Sequence, residues 1–137
     1  MNVIVCLDDA GGMAFNGRRQ SKDRVVCEKI LSLTKGKNLW MNAYSKGMFK
    51  EVDSIFVAED FLQKAQAEDF CFVETQPFLK EVATQLFVFC WNRSYPADVY
   101  FGFKPEESGY TLIEKTEFCG FSHENITLCV YKRREET

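Results

Sequence analysis

The sequence predicts an α/β fold, a doubly wound and mostly parallel sheet closed by a C-terminal antiparallel hairpin. Three observations lead there. Apolar runs of strand length alternate with segments of helical spacing, the order expected when helices cross between parallel strands. The runs "NVIVCL" and "QLFVFCW" are apolar almost without interruption, as strands covered on both faces are. The last thirty residues break the alternation, because "GYTLIEKTEFCGF" and "ITLCVYKRR" flank the polar turn "SHEN" and read as a long hairpin. A chain of 137 residues is expected to form one domain over 1–137, long enough for a sizeable core.

Each element has its own local reason. Residues 2–8 form the first strand and "DDAGG" turns it. A helix is expected over 22–35, with Ser21 as N-cap, Asp23 in the positively polarised first turn, and Val26, Ile30 and Leu33 along one face. Gly36 is its stop. Strands follow at 38–44 and 54–60, a short helix at 61–66, and a fourth strand at 70–75. Pro77 suits the first position of a short helix over 76–83. Strands at 85–92 and 97–101 precede the hairpin, and the tail "RREET" is expected to fray.

Composition limits the function classes. The chain is 46% hydrophobic and 27% charged, ordinary for a globular domain, and its 13 Phe predict an aromatic-rich core. The stripe Phe70, Phe72, Phe87, Phe89 and Trp91 is read as core, not as a base-stacking platform. A net charge of −3 gives no bulk attraction to nucleic acid or to a membrane surface, so neither partner is expected. Five of the six cysteines sit in apolar company and none forms a CxxC pair. Free, reduced thiols and a cytoplasmic setting follow from that pattern. The apolar runs fall far short of the roughly 20 residues of a membrane span.

Chemistry concentrates in "FNGRRQSKDR". Arg18, Arg19, Lys22 and Arg24 surround one acid, Asp23, at the start of a helix. Guanidinium forks suit phosphate or carboxylate, a helix start adds backbone donors, and Gln20 and Ser21 add neutral hydrogen-bonding groups. A small anionic ligand is the expected partner, bound by Arg18, Arg19, Gln20, Ser21 and Arg24. The only histidine, His123, lies in the hairpin turn and is read as a surface residue. One histidine excludes a His-rich binuclear metal centre, so no metal is expected. Asp8 and Asp9 end a strand and are read as turn formers. No GxxxxGK[ST] loop is present, and no Ser-His-Asp set can be assembled from sequence alone.

The order of elements resembles the dihydrofolate reductase family. The run "FCFVETQPFLKEVATQLFVFCWNRSYPADVYFGF", with the hairpin ending "CVYKRR", is similar to that family's second half. "VIVCLDDAGGMAFNG" is similar to its first strand and glycine-containing loop, and "LWMNAYS" to the strand that ends "MGRxT". The resemblance covers nearly the whole chain and lies in element order more than in motif identity. It implies a dihydrofolate reductase-like fold, NADPH as cofactor, Asp23 as the catalytic acid, and a pterin- or pyrimidine-like heterocycle as substrate. It also places Asn42, Ser45 and Thr75 at cofactor-facing positions.

The departures from the family pattern are specific. Its Gly-Gly turn is replaced by "VET", so Glu74 brings negative charge and a Cβ to the phosphate position. Ala43 stands where the family has its Arg, Val99 stands where a Thr orients the acid, and the Trp preceding the acid is absent. Weak or no NADPH binding and no ordinary dihydrofolate reduction are therefore expected. Two classes remain: a divergent NAD(P)H-dependent reductase, and a non-catalytic module that binds an anionic metabolite or nucleotide. The oligomeric state has no signature in the sequence.

Overall fold

A computed structural model describes residues 1–78 and 80–134. Position 79, inside the expected 76–83 helix, and the last three residues of the expected frayed tail lie outside the described residues. Seven strands form the main sheet: β1 (Asn2–Leu7), β4 (Leu39–Met41), β5 (Phe56–Val57), β6 (Phe70–Phe72), β7 (Gln85–Cys90), β9 (Tyr110–Phe118) and β10 (Ile126–Arg133). Their order is β5-β4-β6-β1-β7-β10-β9. The first five run parallel, and β10 and β9 add antiparallel at one edge. This is the doubly wound sheet with a terminal hairpin that the alternation predicts.

Both faces of the sheet are covered, which explains the unbroken apolar runs. Ile4 of β1, Phe87 and Phe89 of β7, and Leu128 and Val130 of β10 pack on one side with Val26 and Ile30 of helix α1 (Arg24–Leu33). Val3, Val5, Leu86, Val88 and Cys129 face the other side, where Phe61 of helix α3 (Phe61–Lys64) and Tyr110 close the layer. The Phe70–Trp91 stripe is buried throughout. All six cysteines are free.

Several elements are shorter than their apolar patterns suggest. The expected 38–44 strand ends at Met41, because Asn42 turns the chain and caps the short helix α2 (Ala43–Lys46) with its side chain. The 54–60 and 97–101 strands pair over two residues each. A single turn of 3-10 helix at Lys80–Val82 stands within the expected 76–83 helix. The 22–35 helix begins only at Arg24, and its N-cap is Asp23, not Ser21. Asp23 is extended (φ −151°) and its carboxylate accepts the Val25 N–H, whereas the Ser21 hydroxyl is engaged elsewhere.

The basic stretch itself contains structure that apolar periodicity does not reveal. Strands β2 (Gly12–Phe15) and β3 (Arg18–Arg19) form a tight hairpin, joined to β8 (Val99–Tyr100) in a small second sheet. Its turn is Asn16-Gly17, both at positive φ (55° and 73°), as a two-residue hairpin turn of this hand requires. Gly12 is held close: a Cβ there would meet Ala97 and the Gln20 amide at 2.7 Å. Asp8 Oδ1 accepts the N–H groups of Ala10 and Gly12, and its Oδ2 accepts Gln20 Nε2 and the Tyr95 N–H, so this acid is a turn former, as read from the sequence.

Candidate functional site

The topology decides where the polar residues meet. Strands β1, β4, β6 and β7 all end at one edge of the sheet, the edge where ligands lie in folds of this type. Because β10 runs antiparallel to β7, with Thr127 opposite Cys90, the turn between β9 and β10 must sit at that same edge. Segment 18–24 crosses the edge between β3 and α1. Its alternate side chains reach two polar clusters.

The first cluster is built on Arg19. Its Nε lies 2.8 Å from Glu74 Oε2, and its Nη2 3.1 Å from Glu74 Oε1. Glu74 follows β6 and is buried, with only 5% of its side chain exposed. Ser45 Oγ donates to Glu74 Oε1 at 2.7 Å, and Asn42 Oδ1 accepts the Ser45 N–H. The Tyr44 ring stacks 4.3 Å from the Arg19 guanidinium, and Tyr44 Oη accepts the Arg19 N–H. The positions expected to face a cofactor, Asn42 and Ser45, are thus tied to a protein carboxylate and to a helix cap. Thr75 is half-buried beside Glu74.

The second cluster is built on Asp23, whose side chain is wholly buried. Oδ1 accepts the N–H groups of Val25 and Phe121; Oδ2 accepts the Ser122 N–H and hydroxyl and lies 2.9 Å from His123 Nδ1. Burial acts to raise the pKa of this carboxyl, but the Phe121 N–H, the His123 ring and the N–H groups of Ser122 and Val25 outweigh it. The acid is held far below the usual carboxylate range. Gly120 makes room for it, since a Cβ there would fall 2.6 Å from Asp23 Oδ2.

His123 corrects the surface reading. Its side chain is only 7% exposed and its ring stacks on Trp91 with centroids 4.6 Å apart. Nε2 lies 2.9 Å from Ser21 Oγ and 3.4 Å from Tyr95 Oη. The turn folds inward because the Asp23 carboxylate draws three consecutive residues, 121–123, onto itself. The structure therefore brings together Asp23, Ser21, His123 and Tyr95 in one cluster and Arg19, Glu74, Ser45 and Tyr44 in the other. Of the expected anion-binding residues, Arg18 and Arg24 are exposed, and Arg24 lies over the Phe121 ring at 4.5 Å. Gln20 points away from both clusters, to Asp8 and the Pro96 carbonyl, and its Oε1 is buried without a partner among the described residues.

Burial pushes up the thiols of Cys6 and Cys27, and Glu74 adds to the shift at both. Among the described residues no group of His, Cys, Asp and Glu is arranged to hold a metal ion. No helix among them is long and apolar enough to cross a membrane.

The fold is that of dihydrofolate reductase. A dihydrofolate reductase from Enterococcus faecalis, solved in complex with NADP(H) and RAB-propyl, superposes with a TM-score of 0.68. The match covers 98% of this chain and 96% of that one, at 10% sequence identity. No protein-family model and no curated protein sequence matches the chain. The likeness is therefore one of backbone architecture. At the carboxyl edge of this chain the buried carboxylate of Glu74 follows β6, and Asp23 at the start of α1 is enclosed by the 121–123 turn.

Proposed function

We propose that this chain is a divergent dihydrofolate reductase-like protein that binds a small anionic ligand at segment 18–24 and does not use the reductase chemistry of its fold. The supporting observation is the charge balance of that segment. Its inner charges are satisfied within the protein: Arg19 by Glu74, and Asp23 by the 121–123 turn. Its outer cations Arg18, Lys22 and Arg24 are exposed and make no ion pair among the described residues. Three exposed cations within seven residues, none of them ion-paired among the described residues, favour a phosphate or carboxylate group.

The same balance weighs against reductive chemistry. An acid that holds the amidine-like edge of a pterin needs free acceptor positions on its carboxylate, about four in all. Asp23 uses both oxygens on five protein donors. Its depressed pKa also removes the proton a general acid must deliver near neutral pH. A reduced dinucleotide would bring phosphates to the end of β6, where the buried Glu74 carboxylate stands. The residues there do not fit that group. A reductase reading has the fold in its favour, together with the NADP(H) complex of the Enterococcus faecalis enzyme.

Calorimetric titration with NADPH, inorganic phosphate, pyrophosphate and citrate separates the two. Binding of an anion that weakens about tenfold or more in Arg18→Ala, with no NADPH binding, fits the proposal. Micromolar NADPH affinity with turnover of a heterocycle would replace it by the reductase.

A further inference from the structure

We propose that Ser21, His123 and Asp23 form a nucleophilic serine centre competent for acyl transfer from a small ester. The relay is continuous: Ser21 Oγ to His123 Nε2 is 2.9 Å, and His123 Nδ1 to Asp23 Oδ2 is 2.9 Å. Each member has the surroundings its role requires. Asp23 is buried, ionised and fixed by three backbone N–H groups, so it accepts the Nδ1 proton and sets the tautomer. The lone pair is thereby left on Nε2, facing the Ser21 hydroxyl. The imidazole is held flat by Trp91. Tyr95 Oη lies farther from the same nitrogen, at 3.4 Å, so the Ser21 hydroxyl is the closer partner of the Nε2 lone pair. Such a set is recognised by geometry and roles, not by chain order; here serine and acid are two residues apart and the histidine arrives from a turn a hundred residues later.

The step balances within these residues and water. Ser21 Oγ attacks the ester carbonyl and its proton moves to Nε2; the bond to the leaving oxygen breaks and Nε2 returns that proton, releasing the alcohol. Water then attacks the acyl-serine, gives a proton to Nε2, and the acid departs as Oγ regains the proton. No oxidant, reductant or metal is consumed. Lys22 follows the serine and is exposed, which favours an ester that also carries a carboxylate or phosphate. That last clause rests on the preceding proposal; the nucleophile does not.

The test uses neutral reagents, so that it is independent of anion binding. A neutral fluorophosphonate ester should label the full chain once, with Oγ–P formation and loss of fluoride, and peptide mapping should place the adduct on Ser21. Ser21→Ala should abolish the label. His123→Asn, which retains a donor for Asp23 but no base at Nε2, should slow labelling about 100-fold or more when compared with the parent well below the melting temperature of each. Hydrolysis of 4-nitrophenyl acetate should fall in parallel. No adduct on the parent, an adduct that survives Ser21→Ala, or equal labelling of the parent and His123→Asn would overturn the proposal and leave the three residues as a lock between two loops. Labelling of Ser21 without anion binding would remove only the preceding proposal, and anion binding without labelling only this one.

Discussion

Replacing Arg19 by Met removes one partner of a buried pair and tests whether the two sides of the edge are held together by charge. Arg19 makes two charge-assisted bonds to Glu74, at 2.8 and 3.1 Å, with 19% of the arginine side chain and 5% of the glutamate side chain exposed. A buried pair broken on one side costs about 3–5 kcal/mol, because an uncompensated charge remains. Two features reduce that here: Ser45 Oγ still donates to Glu74, and the arginine is partly wetted. About 2–4 kcal/mol remains, worth roughly 8–16 °C in melting temperature for a chain of this size. Urea denaturation of Arg19→Met and of Arg19→Met/Glu74→Met measures it. The double variant should recover at least half of the loss, since no orphan charge is left. Were Arg19 only a solvent-exposed cation, its removal would barely affect stability. A single variant within about 0.5 kcal/mol of the parent, or a double variant less stable than the single, would uphold that reading and refute the bridge.

Other expected outcomes follow from single contacts. Acid should weaken the fold through Asp23: its folded pKa is depressed, so its contribution is full above about pH 4, the unfolded value, and is lost as pH falls through the folded one. Stability by chemical denaturation should therefore fall steadily below pH 4, and less steeply in Asp23→Asn. Gly120→Ala should destabilise, because its Cβ would lie 2.6 Å from Asp23 Oδ2 and 2.7 Å from Ile126 Cδ1; thermal unfolding against the parent measures the loss. Ile30→Ala should cost about 2–5 kcal/mol in urea, since Ile30 of α1 is fully buried in the core cluster formed with the sheet. Thiol titration of the denatured chain without reductant should count six free groups. In the native chain exposed Cys119 should react first, while Cys71 and Cys90, whose thiols burial pushes up to about 12, should stay unreactive near neutral pH.

The fold was legible because the main sheet is covered on both faces and its strands advertise that. The 2–8 and 85–92 runs and the terminal hairpin stand where their patterns place them. The small sheet is not legible from hydrophobic periodicity, since β3 consists of two arginines; its signal is the Asn-Gly pair, a two-residue hairpin turn that follows the apolar β2. Ser21 and Asp23 are equally good caps by residue type, and what separates them is a tertiary contact, the 121–123 turn. His123 lay in a polar turn, where composition speaks for solvent. Its inward placement depends on the topology: once β10 is antiparallel to β7, the turn must close over the start of α1. Glu74 was recognised as a charge at the end of β6, but its partner could not be named from sequence, because Arg19 is 55 residues away.

Whether segment 18–24 holds an anion and the end of β6 holds no dinucleotide is read by ¹H–¹⁵N spectra of the native chain during titration of pyrophosphate and, separately, of NADPH. Pyrophosphate should shift the amides of Arg18, Gln20, Ser21, Lys22 and Arg24, the shifts should be lost in Arg18→Ala, and NADPH should leave Asn42, Ser45, Glu74 and Thr75 where they are. Saturable NADPH shifts at Asn42, Ser45 and Thr75, with segment 18–24 unmoved by any anion, would contradict the proposed function.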